Sequence, residues 1–229
     1  EAEKQQRLLV HELNHRVRNM LAVVAAIARL KSRGSEDPDA GPVALRRSQF
    51  EVLEKWQQTF GGNLLVALPD TFGTTQFLQG AGLVFPDIRH WTGFREDSKD
   101  PFVGANEKIN FWRHQGVDPR EKLQLFSDGL DVEVMVSLFQ AFKDRTRCGF
   151  GWGTLVSNDF RACDPRGGTA LDPISIVCKV SEVTVPGLGS VSAVKLSDNY
   201  EKATGEASEV AYYREVFGTA GVANAPVIA

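Results

Sequence analysis

The chain is predicted to be α/β, with parallel strands joined by crossover helices and one long heptad-patterned helix ahead of them. Two observations carry this prediction. After residue 42, short apolar runs alternate with stretches of helical spacing, and strand, helix, strand units of this length pair as parallel strands. Before residue 32, the apolar residues Val10, Leu13, Val17, Met20, Val24 and Ile27 recur at spacings of 3 and 4, the seam of a helix that pairs with another helix.

Taken in order, about Gln5 to Lys31 reads as that helix, within a first segment of residues 1–32 patterned for dimerisation. SRGSEDPDAGP, Ser32 to Pro42, cannot continue it, since its glycines and prolines break helical backbone. A junction is therefore expected at 33–42 and an α/β region at 43–229. In that region NLLVALP (Asn63 to Pro69), HWTGFRED (His90 to Asp97), EKLQLFSDG (Glu121 to Gly129), TRCGFGWG (Thr146 to Gly153) and ISIVCKV (Ile174 to Val180) read as buried strands. Helical spacing fills 105–115 and 131–142.

Composition excludes several classes. With 229 residues, 42% hydrophobic, the chain is long enough for a sizeable core. A net charge of −3 gives no basic surface for nucleic acid. Cys148, Cys163 and Cys178 form no C-x-x-C pair, so neither a disulfide framework nor a zinc ribbon is indicated. No apolar run approaches the roughly 20 residues needed to cross a bilayer. A cytoplasmic protein without membrane contact is expected.

Three motifs sit at the carboxyl ends of predicted strands, where α/β folds gather ligands. GFREDSKDP brings together Arg95, Asp97, Ser98 and Asp100; carboxylates accept from sugar hydroxyls, and a guanidinium donates a fork to phosphate oxygens. LFSDGLD ends a strand with Asp128 and Gly129, and Asp131 suits a helix N-cap. GFGWGT carries glycines at 149, 151 and 153 before Thr154, and unobstructed backbone N–H groups beside a hydroxyl make a phosphate nest. That run is neither a Walker loop nor a G-x-G-x-x-G dinucleotide turn.

The order and flanks of these motifs resemble nicotinate phosphoribosyltransferases. The resemblance runs from about Val43 to Gly218, through LRRSQFEVLEKW, GNLLVALPDTFGTTQFL, WTGFREDSKDP, DPREKLQLFSDGLD, FGWGTLVSNDF, DPISIVCKV, VKLSDN and EKATG. It implies a partial, irregular type II phosphoribosyltransferase barrel. It also implies ATP-assisted transfer of phosphoribose from phosphoribosyl pyrophosphate, with Mg²⁺, to nicotinate for NAD synthesis; a homodimer is expected from the heptad seam. By the same resemblance Arg95 and Asp97 would face ribose and pyrophosphate, Asp128 would lie beneath the sugar, and Gly151, Gly153 and Thr154 would cradle the 5′-phosphate. Lys99 stands where the family more often has glycine. The family's N-terminal domain has no counterpart here, so little or no independent activity is expected.

HELNHRVRN, His11 to Asn19, superficially suggests an H-E-x-x-H zinc helix. With Val10 at heptad position a, His11 falls at b and His15 at f, turned away from the seam rather than into a metal cleft. LLVHELNHRVRNMLAVVAAIARL instead resembles the phosphotransfer helix of HWE-type sensor histidine kinases, which implies His15 as phosphoacceptor. His11 partly echoes the T-x-A-H-E phosphohistidine context of nicotinate phosphoribosyltransferases. The alternative reading of the whole chain is thus a histidine-kinase-type dimerisation module with an inactive α/β carrier.

Overall fold

Four parallel strands, hydrogen-bonded in chain order, carry the fold. The computed structural model describes residues 21–33, 37, 39–61, 63, 65–157, 160, 162–174 and 178–221. A helix over 21–32 (α1) precedes α2 (Ala40–Phe60). Then β1 (Val66–Ala67), α3 (Thr74–Val84), β2 (Gly93–Glu96), α4 (Pro101–His114), β3 (Leu123–Ser127), α5 (Val132–Phe142) and β4 (Arg147–Gly151) alternate. A single turn, α6 (Thr154–Ser157), a hairpin of β5 (Glu182–Val185) and β6 (Gly189–Ser192), and α7 (Ala207–Phe217) complete the described elements. No described helix is long and apolar enough to cross a membrane.

The register sets the two faces of the sheet. Phe94 pairs with Gln124, and Glu96 pairs with Phe126, which is itself opposite Phe150. Because side chains alternate along a strand, these residues share one face, and Arg95, Leu125 and Ser127 share the other. The first face is covered by helices. Phe94 stacks on Trp112 of α4 and meets Phe77 of α3 edge-on, while Phe126 packs with Ala105 and Ile109 of α4 and Leu138 and Phe142 of α5. Crossovers between parallel neighbours that step the same way put α3, α4 and α5 on one side of the sheet. Among the described residues it is an open sheet of four strands.

A second core joins the beginning and end of the chain: Ala25 of α1, Leu45 of α2, Phe72, Val194, Leu196, and Tyr213, Val216 and Phe217 of α7. Phe72 stacks on Phe217 with ring centroids 4.4 Å apart. Three sequence expectations are altered by this packing. The described turns of α1 bury Leu21, Ala22, Ala25, Ala26 and Leu30, while the seam residues Val24 and Ile27 are only half-buried. Alanines let the helix lie close against the body of its own chain, a face that apolar spacing alone does not single out. The break at 33–42 is shorter than expected, since α2 begins at Ala40 with Gly41 and Pro42 in its first turn, where a missing N–H costs nothing. Packing crosses this junction. Finally, the described residues of the expected strand 174–180 are not strand, and Ile174 is exposed. The described strands that follow it are β5 and β6, joined through Pro186, Gly187 and Leu188. His11 and His15, and the first turns of the heptad pattern, lie outside the described residues.

If α1 is part of the body, Ala25→Asp should lower stability in urea by about 3 kcal/mol or more, the cost of an unpaired buried charge. Val24→Asp should cost clearly less. Equal losses, or loss of self-association without loss of monomer stability, would favour the heptad seam.

Candidate functional site

The carboxyl ends of β2 and β3 open into a cleft of about 260 Å³. β2 ends at Glu96, and the loop Asp97, Ser98, Lys99, Asp100 leads into α4. Asp100 is the N-cap of that helix, accepting from Phe102 N at 3.0 Å and Val103 N at 2.9 Å. β3 ends at Ser127, and the chain turns through Asp128 and Gly129, both left-handed with φ of 75° and 60°. Asp131 then caps α5 through Val134 N at 2.8 Å. Asp100 and Asp131 are thereby occupied as helix caps. Asp97, Ser127 and Asp128 line the cleft, with Lys99 and Lys202.

Arg95 backs the cleft rather than lining it. Its Nε donates to Ser127 Oγ at 2.7 Å and its Nη2 to Asp97 Oδ1 at 3.0 Å, so the guanidinium binds the two strand ends together. Ser127 Oγ in turn donates to the Glu96 carbonyl at 2.5 Å. Lys202, from the turn Tyr200–Lys202, reaches across the cleft and donates to Asp128 Oδ2 at 2.6 Å. Lys99 is held by Glu107 at 2.7 Å and Thr75 at 2.9 Å.

Behind the β2 loop lies a buried polar network. Ser98 Oγ donates to Asp70 Oδ2 at 2.7 Å and accepts from Asp198 N at 3.2 Å. Asp198 accepts from Thr74 N at 2.8 Å and Thr74 Oγ1 at 2.6 Å. Lys195 Nζ completes it at 3.0 Å from Asp70. Beside it Lys108 of α4 pairs with Glu96, each side chain 1% exposed. Glu96 lies so close to α4 that a Cβ on Gly104 would fall 1.8 Å from its carboxylate oxygen. Burial pushes the Glu96 carboxyl up to about 6, against the attraction of Lys108, and Asp198 and Asp70 add to the rise. Burial also raises Asp198, with the Asp70 charge adding, against the bonds from Thr74.

A sequence model of the nicotinate phosphoribosyltransferase (NAPRTase) family matches residues 23–220. The chain belongs to this family. Solved structures agree in fold. A nicotinate phosphoribosyltransferase from Porphyromonas gingivalis superposes with a TM-score of 0.71 at 24% identity, over 88% of this chain and 46% of that one. One from Vibrio cholerae gives 0.61 at 29% identity, over 75% and 39%. A Saccharomyces cerevisiae structure assigned to the same enzyme gives 0.69 at 27% identity, over 88% and 44%. The chain thus spans less than half the length of these structures.

Within this NAPRTase family region, the residues expected from sequence divide into two groups. Arg95, Asp97 and Asp128 meet around one cleft, with Ser127 between them. Gly151 lies opposite Ser127 in register but does not line that cleft, and Gly153 opens to free space. Neither has a positive φ, so backbone conformation does not demand glycine there. What glycine leaves at 153 is room. Thr154 begins the turn α6, and its side chain lies outside what the structure describes. Sequence reasoning gave no role to Asp70, Lys108, Lys195, Asp198 or Lys202. A signal for Lys108 was present: it lies on the same helical stripe as Ala105, Ile109 and Trp112, and a lysine in an apolar stripe needs a buried partner.

The raised Glu96 carboxyl has a defined sign. Its proton is held more tightly in the folded chain than in the unfolded one, where the ordinary value is 4.5. Its contribution to stability therefore falls as pH rises from about 4.5 through about 6, by about 2 kcal/mol in total. The stability difference between the native chain and Glu96→Gln, from urea unfolding at pH 4.5 and 7, should shrink by most of that amount at the higher pH. An unchanged difference would show that Glu96 ionises normally.

Proposed function

We propose that this chain binds phosphoribosyl pyrophosphate at the ends of β2 to β4 and forms the phosphoribosyl-binding part of a nicotinate phosphoribosyltransferase for NAD synthesis. The observation that carries the proposal is the meeting of Asp97, Ser127 and Asp128 at adjoining strand ends, backed by Arg95. In the proposed reaction the nicotinate nitrogen forms a bond to the anomeric carbon while the bond to the pyrophosphate oxygen breaks. The pair of electrons leaves with pyrophosphate. ATP assists the transfer, and the whole enzyme is a homodimer.

This chain's residues suit the positive charge that develops on the sugar. Asp128 accepts from ribose hydroxyls and places a negative charge beneath the ring, which stabilises an oxocarbenium-like transition state. Asp97 and Ser127 are held in position by Arg95, so little reorganisation is needed when the sugar arrives. The backbone from Gly151 to Thr154 anchors the 5′-phosphate. Among the described residues no three carboxylates, histidines or cysteines converge on a metal position. Asp97 and Asp128, which line the cleft, would hold Mg²⁺ together with the pyrophosphate, since this ion is commonly held by one or two carboxylates plus substrate phosphates. When bound, it neutralises the leaving group.

Calorimetric titration of the full chain with phosphoribosyl pyrophosphate and Mg²⁺ should give saturable heat. Asp128→Ala and Thr154→Ala should each weaken binding about tenfold, the loss of one charge-assisted or well-formed hydrogen bond. Equal affinity in all three proteins would refute the site.

A further inference from the structure

Among the described residues, four cationic side chains in or behind the cleft are themselves largely buried and held by partners. Arg95 is held by Ser127 and Asp97. Lys108 is held by Glu96, Lys195 by Asp70, and Lys99, itself 7% exposed, by Glu107 and Thr75. Lys202 differs. Its bond to Asp128 joins side chains 38% and 43% exposed, both lining the cleft. An ion pair this exposed contributes little to stability, so breaking it is cheap.

The partner is the carboxylate that the phosphoribosyl reading assigns to the sugar, and the present inference rests on that reading. The ammonium sits on Asp128 Oδ2 on the cleft side, where it competes with ribose hydroxyls for the same carboxylate. We propose that Lys202 is an exchanging ammonium: it neutralises Asp128 in the free chain and passes to the pyrophosphate group when ribose takes the carboxylate. Lysine suits this exchange, being a compact charge on a flexible four-carbon stem.

The position of Lys202 selects the pyrophosphate over the 5′-phosphate. Its segment is anchored at the β1 side of the sheet, where Leu196 N donates to Thr71 O at 2.9 Å and Asp198 binds Thr74. From there Lys202 reaches over the loop that carries Asp97 to the end of β3. Gly151 and Gly153 lie at the end of β4, the opposite edge. An anion lodged between Asp128 and the β1 side is the one within the lysine's reach. Exchange also keeps charge balanced, because neutral hydroxyls replace the ammonium on Asp128 just as a polyanion enters.

The test separates the two halves of the substrate. The full chain is titrated calorimetrically with Mg²⁺ pyrophosphate and, separately, with ribose 5-phosphate. Lys202→Met should weaken pyrophosphate binding about tenfold, one charge-assisted contact, and leave ribose 5-phosphate equal or up to about threefold tighter because Asp128 is released. Asp128→Asn should do the reverse, losing ribose 5-phosphate and retaining pyrophosphate. Lys202→Gln serves as a second variant, with thermal melts establishing that each protein is folded. If the native chain binds both ligands and neither lysine variant alters pyrophosphate affinity, the exchange is wrong and the phosphoribosyl site stands. The exchange also fails if the lysine variants weaken both ligands alike. If the native chain binds neither ligand, both are wrong.

Discussion

Ser98 stands between two buried carboxylates, donating to Asp70 and accepting from the backbone of Asp198, and the arrangement of the cleft depends on that triangle. Each corner belongs to a different segment: the turn after β1, the loop after β2, and the stretch before Lys202. Two carboxylates this close repel, and burial deprives them of water. Lys195 and Thr74 supply the compensation. The three segments are therefore not independent loops, and the position of Asp97 is inherited from bonds made behind it.

The two cores bear on this triangle from opposite sides. The aromatic layer of Phe77, Phe94, Phe111 and Trp112 fixes α3 and α4 to the sheet. The core containing Phe72, Val194 and Leu196 fixes the late part of the chain to the turn after β1. Polar bonds in the triangle then determine register where apolar packing alone would tolerate sliding. The N-terminal α1 enters the second core through Ala25, which links a segment far from the cleft to the residues that shape it.

Much of this was legible in the sequence. Apolar runs bounded by charged turns marked β2, β3 and β4, and Asp131 could be read as a cap because it precedes a helical pattern, whereas Asp100, expected among the ligands, caps α4. Asp97 and Asp128 followed from their positions at strand ends. The described residues of the strand expected at 174–180 are not strand and Ile174 is exposed, because an apolar run does not by itself specify a strand. The face that α1 turns to its own chain went unmarked because alanines leave a weak apolar signal yet permit the closest approach. Lys202 was invisible for another reason: 74 residues separate it from Asp128, and no local pattern encodes such a pairing.

The contact between Gly104 and Glu96 also constrains how this chain can have changed over time. A methyl group at 104 would occupy the space of the carboxylate, whereas shortening the side chain at 96 would leave Lys108 buried without its counter-ion. Neither single step is cheap. Removing the charge at 108 first would strand the Glu96 carboxylate in the same way. The three positions thus form an epistatic set, in which substitutions are tolerated together rather than one at a time.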